Sequence, residues 1–133
     1  MKKFIPILLS VLMFTGCAAV SNNQANTYRQ ITMDEAVDMM AEESGYIILD
    51  VRRPDEFAAG HIPNAINVPN ESIGTDEIPE LPNKDQLIMV YCRSGRRSKE
   101  ASAKLFKLGY TNIVEFGGIL DWKGNLNDVL PSA

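Results

Sequence analysis

The sequence predicts one α/β domain built on a mostly parallel central sheet flanked by helices. Three observations carry that expectation. Residues 46–49 (Y-I-I-L) and 87–91 (L-I-M-V-Y) are short unbroken apolar runs, the pattern of strands buried on both faces of a parallel sheet. Segments with helical periodicity lie between and after these runs. Strands alternating with helices in this way form layered α/β domains. The domain is expected over residues 29–130, without internal repeats.

The elements follow in order. Thr32-x-x-Glu35 reads as a capping box opening a helix. Met33, Ala36, Val37, Met40 and Ala41 then make one apolar stripe, with Asp34, Glu35, Asp38 and Glu42 opposite and Gly45 as the stop. The methionines fit this stripe without a cofactor. Strand 46–49 ends at Asp50, and Pro54 sits at a first-turn position of a short helix. Residues 65–68 are a second strand, closed by Pro69. Residues 70–85 carry little periodicity and read as turns, with a helical turn near Asp76. After strand 87–91, residues 98–108 form an amphipathic helix. Ala101, Leu105 and Leu108 point inward, and Glu100 and Lys104 make a favourable i,i+4 pair. Gly109 ends that helix. Residues 112–116 are a last strand, and Gly117-Gly118 opens a short helix through Trp122. Phe116 and Trp122 are expected in the core.

The N-terminus speaks to location. Lys2 and Lys3 precede eleven positions, 4–14, of which only Ser10 is polar. A basic start, an apolar stretch and a small-residue site form an export signal, here residues 1–16. The stretch falls short of the roughly 20 residues a membrane-spanning helix needs. Phe14-Thr15-Gly16-Cys17 resembles the bacterial lipobox, which implies that Cys17 is lipidated and anchors the chain to a membrane of the cell envelope. An ordinary signal peptide with an incidental Cys17 is the alternative. Residues 17–28 then hold the attachment cysteine and a polar tether. Removing residues 1–16 takes two lysines from 13 basic residues against 17 acidic ones, leaving 11 − 17 = −6 over 133 − 16 = 117 residues. That length suits a single domain. The basic residues gather at one loop and form no broad stripe, which excludes a nucleic-acid-binding surface.

That loop is V-Y-C-R-S-G-R-R-S, residues 90–98. Cys92 falls at the carboxyl end of a buried strand, where open α/β sheets bind ligands. A loop curling into a helix N-terminus aims backbone N–H groups at one point and makes an anion-binding nest. Gly95 supplies the backbone freedom, and Arg93, Arg96 and Arg97 add positive potential. A thiol held there is favoured as the thiolate nucleophile. The competing reading is an inert buried cysteine with solvated arginines nearby. With Cys17 lipidated, Cys92 is the only free thiol, and it is expected to face solvent.

Four segments in order resemble the rhodanese family, from about residue 29 to 126. They are the Cys92 loop, Leu49-Asp50-Val51-Arg52 with Pro54-Asp55-Glu56-Phe57, His61-Ile62-Pro63-Asn64-Ala65, and Gly117-Gly118-Ile119-x-x-Trp122. Asn64 stands where the family usually has Gly; Asn also tolerates a left-handed backbone. The resemblance implies a sulfurtransferase that needs neither cofactor nor metal. Cys92 would take the sulfane sulfur of thiosulfate or another donor as a persulfide, and pass it to a thiol, dithiol or cyanide acceptor. The loop Arg93, Ser94, Gly95, Arg96 and Arg97 would bind substrate. Two rivals stand beside this reading. One is a non-catalytic module that carries a persulfide or docks on a partner. The other is a cysteine-dependent phosphatase, whose C-x5-R loop is one residue longer than the C-x4-R here. His61, the only histidine, is expected to bond to backbone in a turn. Asp50 and Arg52 are expected to form a structural ion pair or line the pocket rim.

Overall fold

The computed structural model describes residues 28–126. The expected export signal, Cys17, the tether up to residue 27 and residues 127–130 of the expected domain lie outside the described residues. Five strands form one all-parallel sheet: β1 (Arg29–Gln30), β2 (Ile47–Asp50), β3 (Ile66–Asn67), β4 (Ile88–Cys92) and β5 (Ile113–Gly118). They lie in the order β1-β5-β4-β2-β3, so β4 is central. Three helices accompany them: α1 (Met33–Glu42), α2 (Pro54–Ala59) and α3 (Arg96–Lys107).

The apolar runs are buried on both sides, and alternate residues feed two cores. Leu49, Val51, Val90, Ala101 and Leu105 pack on one face of the sheet. Met33, Ala36, Ile48, Met89, Tyr91 and Phe116 pack on the other. Strand period two assigns the neighbours Ile48 and Leu49, or Met89 and Val90, to opposite layers. From β2 the chain runs outward to β3, then crosses back over β2 to β4 and on to β5. The reversal lies between β2 and β4, which places a ligand crevice at their carboxyl ends.

Capping follows the sequence at the starts of α1 and α2 and at the end of α3, whereas α1 ends at Glu42 with Glu43 as its C-cap, ahead of the expected stop at Gly45. The Thr32 side chain accepts the Glu35 N–H, and the Glu35 carboxylate accepts the Thr32 N–H. Pro54 opens α2. At the end of α3, Gly109 takes φ 95°, its N–H donating to Phe106 O and that of Tyr110 to Leu105 O. Those two bonds make a Schellman motif.

Several expectations are corrected. Val37 is 44 % exposed and Ala41 is also outside; α1 closes its buried stripe with Met39 beside Met33, Ala36 and Met40. The helical turn after β3 is at Asn70–Ser72, and Asp76 lies in a bend. Helix α3 begins at Arg96, two residues early, because Gly95 at φ 113° already turns the chain as its N-cap. Glu100 and Lys104 do not pair with each other. Both reach Asn70, while Glu100 also takes Arg96. Gly117 and Gly118 finish β5, with a 3-10 turn at Ile119–Asp121 following. Leu108 and Trp122 are only half-buried at the core margins. The edge strand β1 has no counterpart in the sequence reading.

Candidate active site

Cys92 is the last residue of β4, and the next three residues, Arg93 to Gly95, turn the chain into α3. The left-handed Gly95 brings its N–H back to the thiol, 3.0 Å from Cys92 Sγ. The sulfur therefore sits at the N-terminal end of a twelve-residue helix, where the dipole favours negative charge. From the other side, Ser98 Oγ lies 3.4 Å from Sγ and accepts the S–H.

Strand β5 closes the floor of this loop. Its register with β4 slips between Val90 and Cys92, so that Glu115 lies opposite Val90 but Gly118 opposite Cys92. The extra residue brings Gly118 hard against the loop. A Cβ at Gly118 would sit 2.0 Å from Arg93 O and 2.6 Å from Ser94 Cα. Only glycine permits that approach. Gly117, at φ 93°, is the positive-φ residue within the slipped end of β5.

Cys92 is 1 % exposed, so the expectation of a solvent-facing thiol is corrected. The loop folds over the sulfur, and only Arg93, Ser94 and Arg96 are exposed on its outer side. Above it lies a cavity of about 480 Å³ lined by Arg53, Glu56, Glu71, Arg93, Ser94, Arg96 and Arg97.

The arginines divide their work. Arg97 makes a two-pronged pair with Glu56 of α2, at 2.6 and 3.0 Å, with both side chains largely covered. Hydrogen bonds from Arg97 hold the Glu56 carboxyl below the usual carboxylate range, and Glu56 in turn raises the Arg97 guanidinium. Arg96 pairs with Glu100 one turn along α3. Arg53 pairs with Asp55, whose carboxyl this bond lowers to about 2. Arg93 has no carboxylate partner among the described residues. It is the lining arginine left open to an incoming anion.

Below the rim, a buried network locks the β2 exit. Arg52 Nη2 lies 2.7 Å from Asp50 Oδ2 and donates also to Gly60 O at 2.7 Å. Tyr91, next to Cys92, donates its hydroxyl to Asp50 Oδ2 at 2.6 Å and accepts the Ile62 N–H. Burial and the Asp50 charge push the Tyr91 phenol well above its ordinary value, so it stays a donor. Asp50 and Arg52 thus form the structural pair, away from the rim. His61 Nδ1 lies 3.0 Å from Phe57 O and its ring stacks on Phe57 at 3.8 Å, a structural position. Asn64 takes φ 67°.

Cys92 and its loop are legible in the sequence, whereas Glu56, Ser98 and Glu115 join the site only through the fold. Glu115 had one visible signal: it is the sole charged residue in the run I-V-E-F.

Comparison with known proteins follows the same segments. The Rhodanese-like domain family matches residues 32–125. A sulfurtransferase of Allochromatium vinosum is 35 % identical over 94 residues, covering 70 % of this chain and 86 % of that protein. The thiosulfate sulfurtransferase PspE of Escherichia coli is 34 % identical over 73 residues, covering 55 % and 70 %. Among solved structures, a rhodanese-like domain protein from Staphylococcus aureus aligns with TM-score 0.61 at 32 % identity, over 74 % of this chain and 95 % of that one. The α/β architecture, the four ordered segments and the family match agree: the chain belongs to the rhodanese-like domain family.

Proposed function

We propose that this protein is a thiosulfate-type sulfurtransferase working through a Cys92 persulfide. Relatives named as sulfurtransferases support rhodanese-type sulfur transfer in general. The observation that carries the finer reading is the Gly95 N–H aimed at Cys92 Sγ from the start of α3. A sulfur so held is stabilised as an anion and oriented for attack. The Cys92 thiolate attacks the outer sulfur of thiosulfate; an S–S bond forms and sulfite leaves with the electron pair of the broken bond. The charge then resides on the terminal sulfur of the persulfide. The loop N–H groups shelter that sulfur, and Arg93 draws the dianion into the cavity. Cyanide or a thiolate next attacks the terminal sulfur, carries it off and returns Cys92 as thiolate.

Intact-mass measurement tests this. Thiosulfate should add one sulfur, about 32 Da, to the protein, and cyanide should remove it as thiocyanate; Cys92→Ser should do neither. Loading by polysulfide alone would favour the persulfide-carrying module, and no loading at all would overturn the sulfurtransferase reading.

The exported, lipid-anchored location is the second part of the proposal and rests on residues 1–17. No helix among the described residues is long and apolar enough to cross a membrane. A diacylglyceryl group on Cys17 would supply the two chains that stable anchoring takes. Cys17→Ser should leave the membrane fraction or remain unprocessed. A processed wild-type protein without acylation by mass would refute the anchor and leave the enzyme reading intact.

A further inference from the structure

Behind the nucleophile stands a group the reaction above does not use. Glu115 is 2 % exposed, in the middle of β5, under the Cys92 loop. Its Oε1 accepts the Ser98 hydroxyl at 2.7 Å and the Gly117 N–H at 2.8 Å. No lysine or arginine among the described residues pairs with it. Ser98 Oγ is also the atom that accepts the Cys92 S–H. A serine has one hydrogen to give. Gly95 O at 2.9 Å and Gly117 O at 3.4 Å also lie within reach of the hydroxyl, but the Glu115 oxygen is nearer and bonds to a carboxylate are charge-assisted, so Glu115 claims that hydrogen and Ser98 is left to turn a lone pair toward sulfur.

We propose that Glu115 is a positioning residue that tempers Cys92: through Ser98 and through its own negative charge, it opposes loss of the thiol proton. The inference rests on Cys92 being the nucleophile. Two sets of groups then act on one sulfur in opposite directions. The Gly95 N–H, the start of α3 and Arg97 favour the thiolate, with Glu56 of α2 offsetting part of the Arg97 charge. Glu115 and the Ser98 lone pair favour the thiol. The residues opposite Glu115 in the sheet, Val90 of β4 and Gln30 of β1, bring no charge. The balance has a chemical use. A thiolate that is stabilised too far loses nucleophilicity, and the best attacking thiol ionises near the ambient pH. By opposing the thiolate-stabilising groups, Glu115 acts to preserve nucleophilicity and to favour the less oxidisable thiol.

The test is the pH profile of Cys92 alkylation by iodoacetamide, a neutral reagent that needs no sulfur chemistry. Glu115→Gln retains the shape and an oxygen for the Gly117 N–H while removing the charge. Its profile should move to lower pH than wild type, with alkylation at the pH of half-maximal wild-type ionisation faster by as much as about twofold and, at lower pH, by on the order of tenfold. An unchanged profile, or one moved to higher pH, would overturn the proposal. The wild-type protein gives a second readout that does not depend on the variant folding. The infrared S–H stretch, identified by its loss in Cys92→Ala, should be present at neutral pH; its absence would overturn the tempering role. Failure of thiosulfate to load sulfur, with the alkylation shift intact, would remove the sulfurtransferase reading alone.

Discussion

Gly118→Ala is the sharpest perturbation the fold offers. The new Cβ would lie 2.0 Å from Arg93 O, 2.4 Å from Arg93 C and 2.6 Å from Ser94 Cα. All three are backbone atoms, so no side chain can swing aside. Real Cβ contacts essentially never fall under 3.0 Å, so strand and loop must separate by at least 3.0 − 2.0 = 1.0 Å. Arg93 and Ser94 open the loop that holds the sulfur, and the same strand end carries the Gly117 amide bonded to Glu115. A displacement of about 1 Å at a reacting group costs on the order of 100-fold in rate. Overpacking of this kind destabilises by about 1–3 kcal/mol. The assay is thiocyanate formation from thiosulfate and cyanide, with urea unfolding run in parallel. Gly74→Ala is the matched control, because nothing lies within 4 Å of its built Cβ. A folded Gly118→Ala protein with turnover equal to the Gly74→Ala control would refute the claim that this close approach sets the cradle.

Three further outcomes follow from the same geometry. Glu56→Gln removes the partner of Arg97 and should cost about 1 kcal/mol at neutral pH, the pair being partly exposed. Since the Glu56 carboxyl is lowered in the folded state, its contribution is complete above the ordinary carboxylate value. It should vanish as pH falls through the lowered one, so denaturation curves of variant and wild type converge in acid. Asp50→Asn leaves the Arg52 guanidinium buried without its counter-charge and should destabilise by about 3–5 kcal/mol in urea; a loss under 1 kcal/mol would contradict the buried-pair assignment. Thr32→Ala removes the cap of α1 and should lower stability by about 1 kcal/mol, with sulfur transfer at the wild-type rate per folded molecule.

What the sequence showed was local, and what it hid was made by distant residues. Capping at Thr32, the Pro54 start, the Gly109 stop and the apolar strands depend on neighbours in the chain. The Cys92 loop was legible for the same reason, since strand, glycine and helix start lie within nine residues. Strand β1 was not, because Arg29–Gln30 are exposed and become a strand only by pairing with Val114 and Glu115. The burial of Cys92 was missed because Gly118, far along the chain, draws the loop over it. Glu100 and Lys104 carried the right spacing for a helical pair, yet Asn70 supplies a better partner to each. Glu56 has the same history: nothing near it in sequence announces Arg97, 41 positions away.

The all-parallel sheet also sets the order in which the molecule can come into being. A parallel pair cannot be closed by a tight hairpin, so every ladder here waits for a long crossover. The β2–β4 ladder joins Asp50 to Tyr91, 91 − 50 = 41 positions apart, and β1–β5 joins Arg29 to Val114, 114 − 29 = 85 apart. Such contacts gain nothing until most of the chain is available, and their closure entropy slows folding relative to local topologies. A chain stopped before residue 113 would lack both one neighbour of the central strand, β5, and the glycine that seats the loop. Acquisition of the native state and closure of the loop over Cys92 are therefore one late event, driven by the arrival of the last strand.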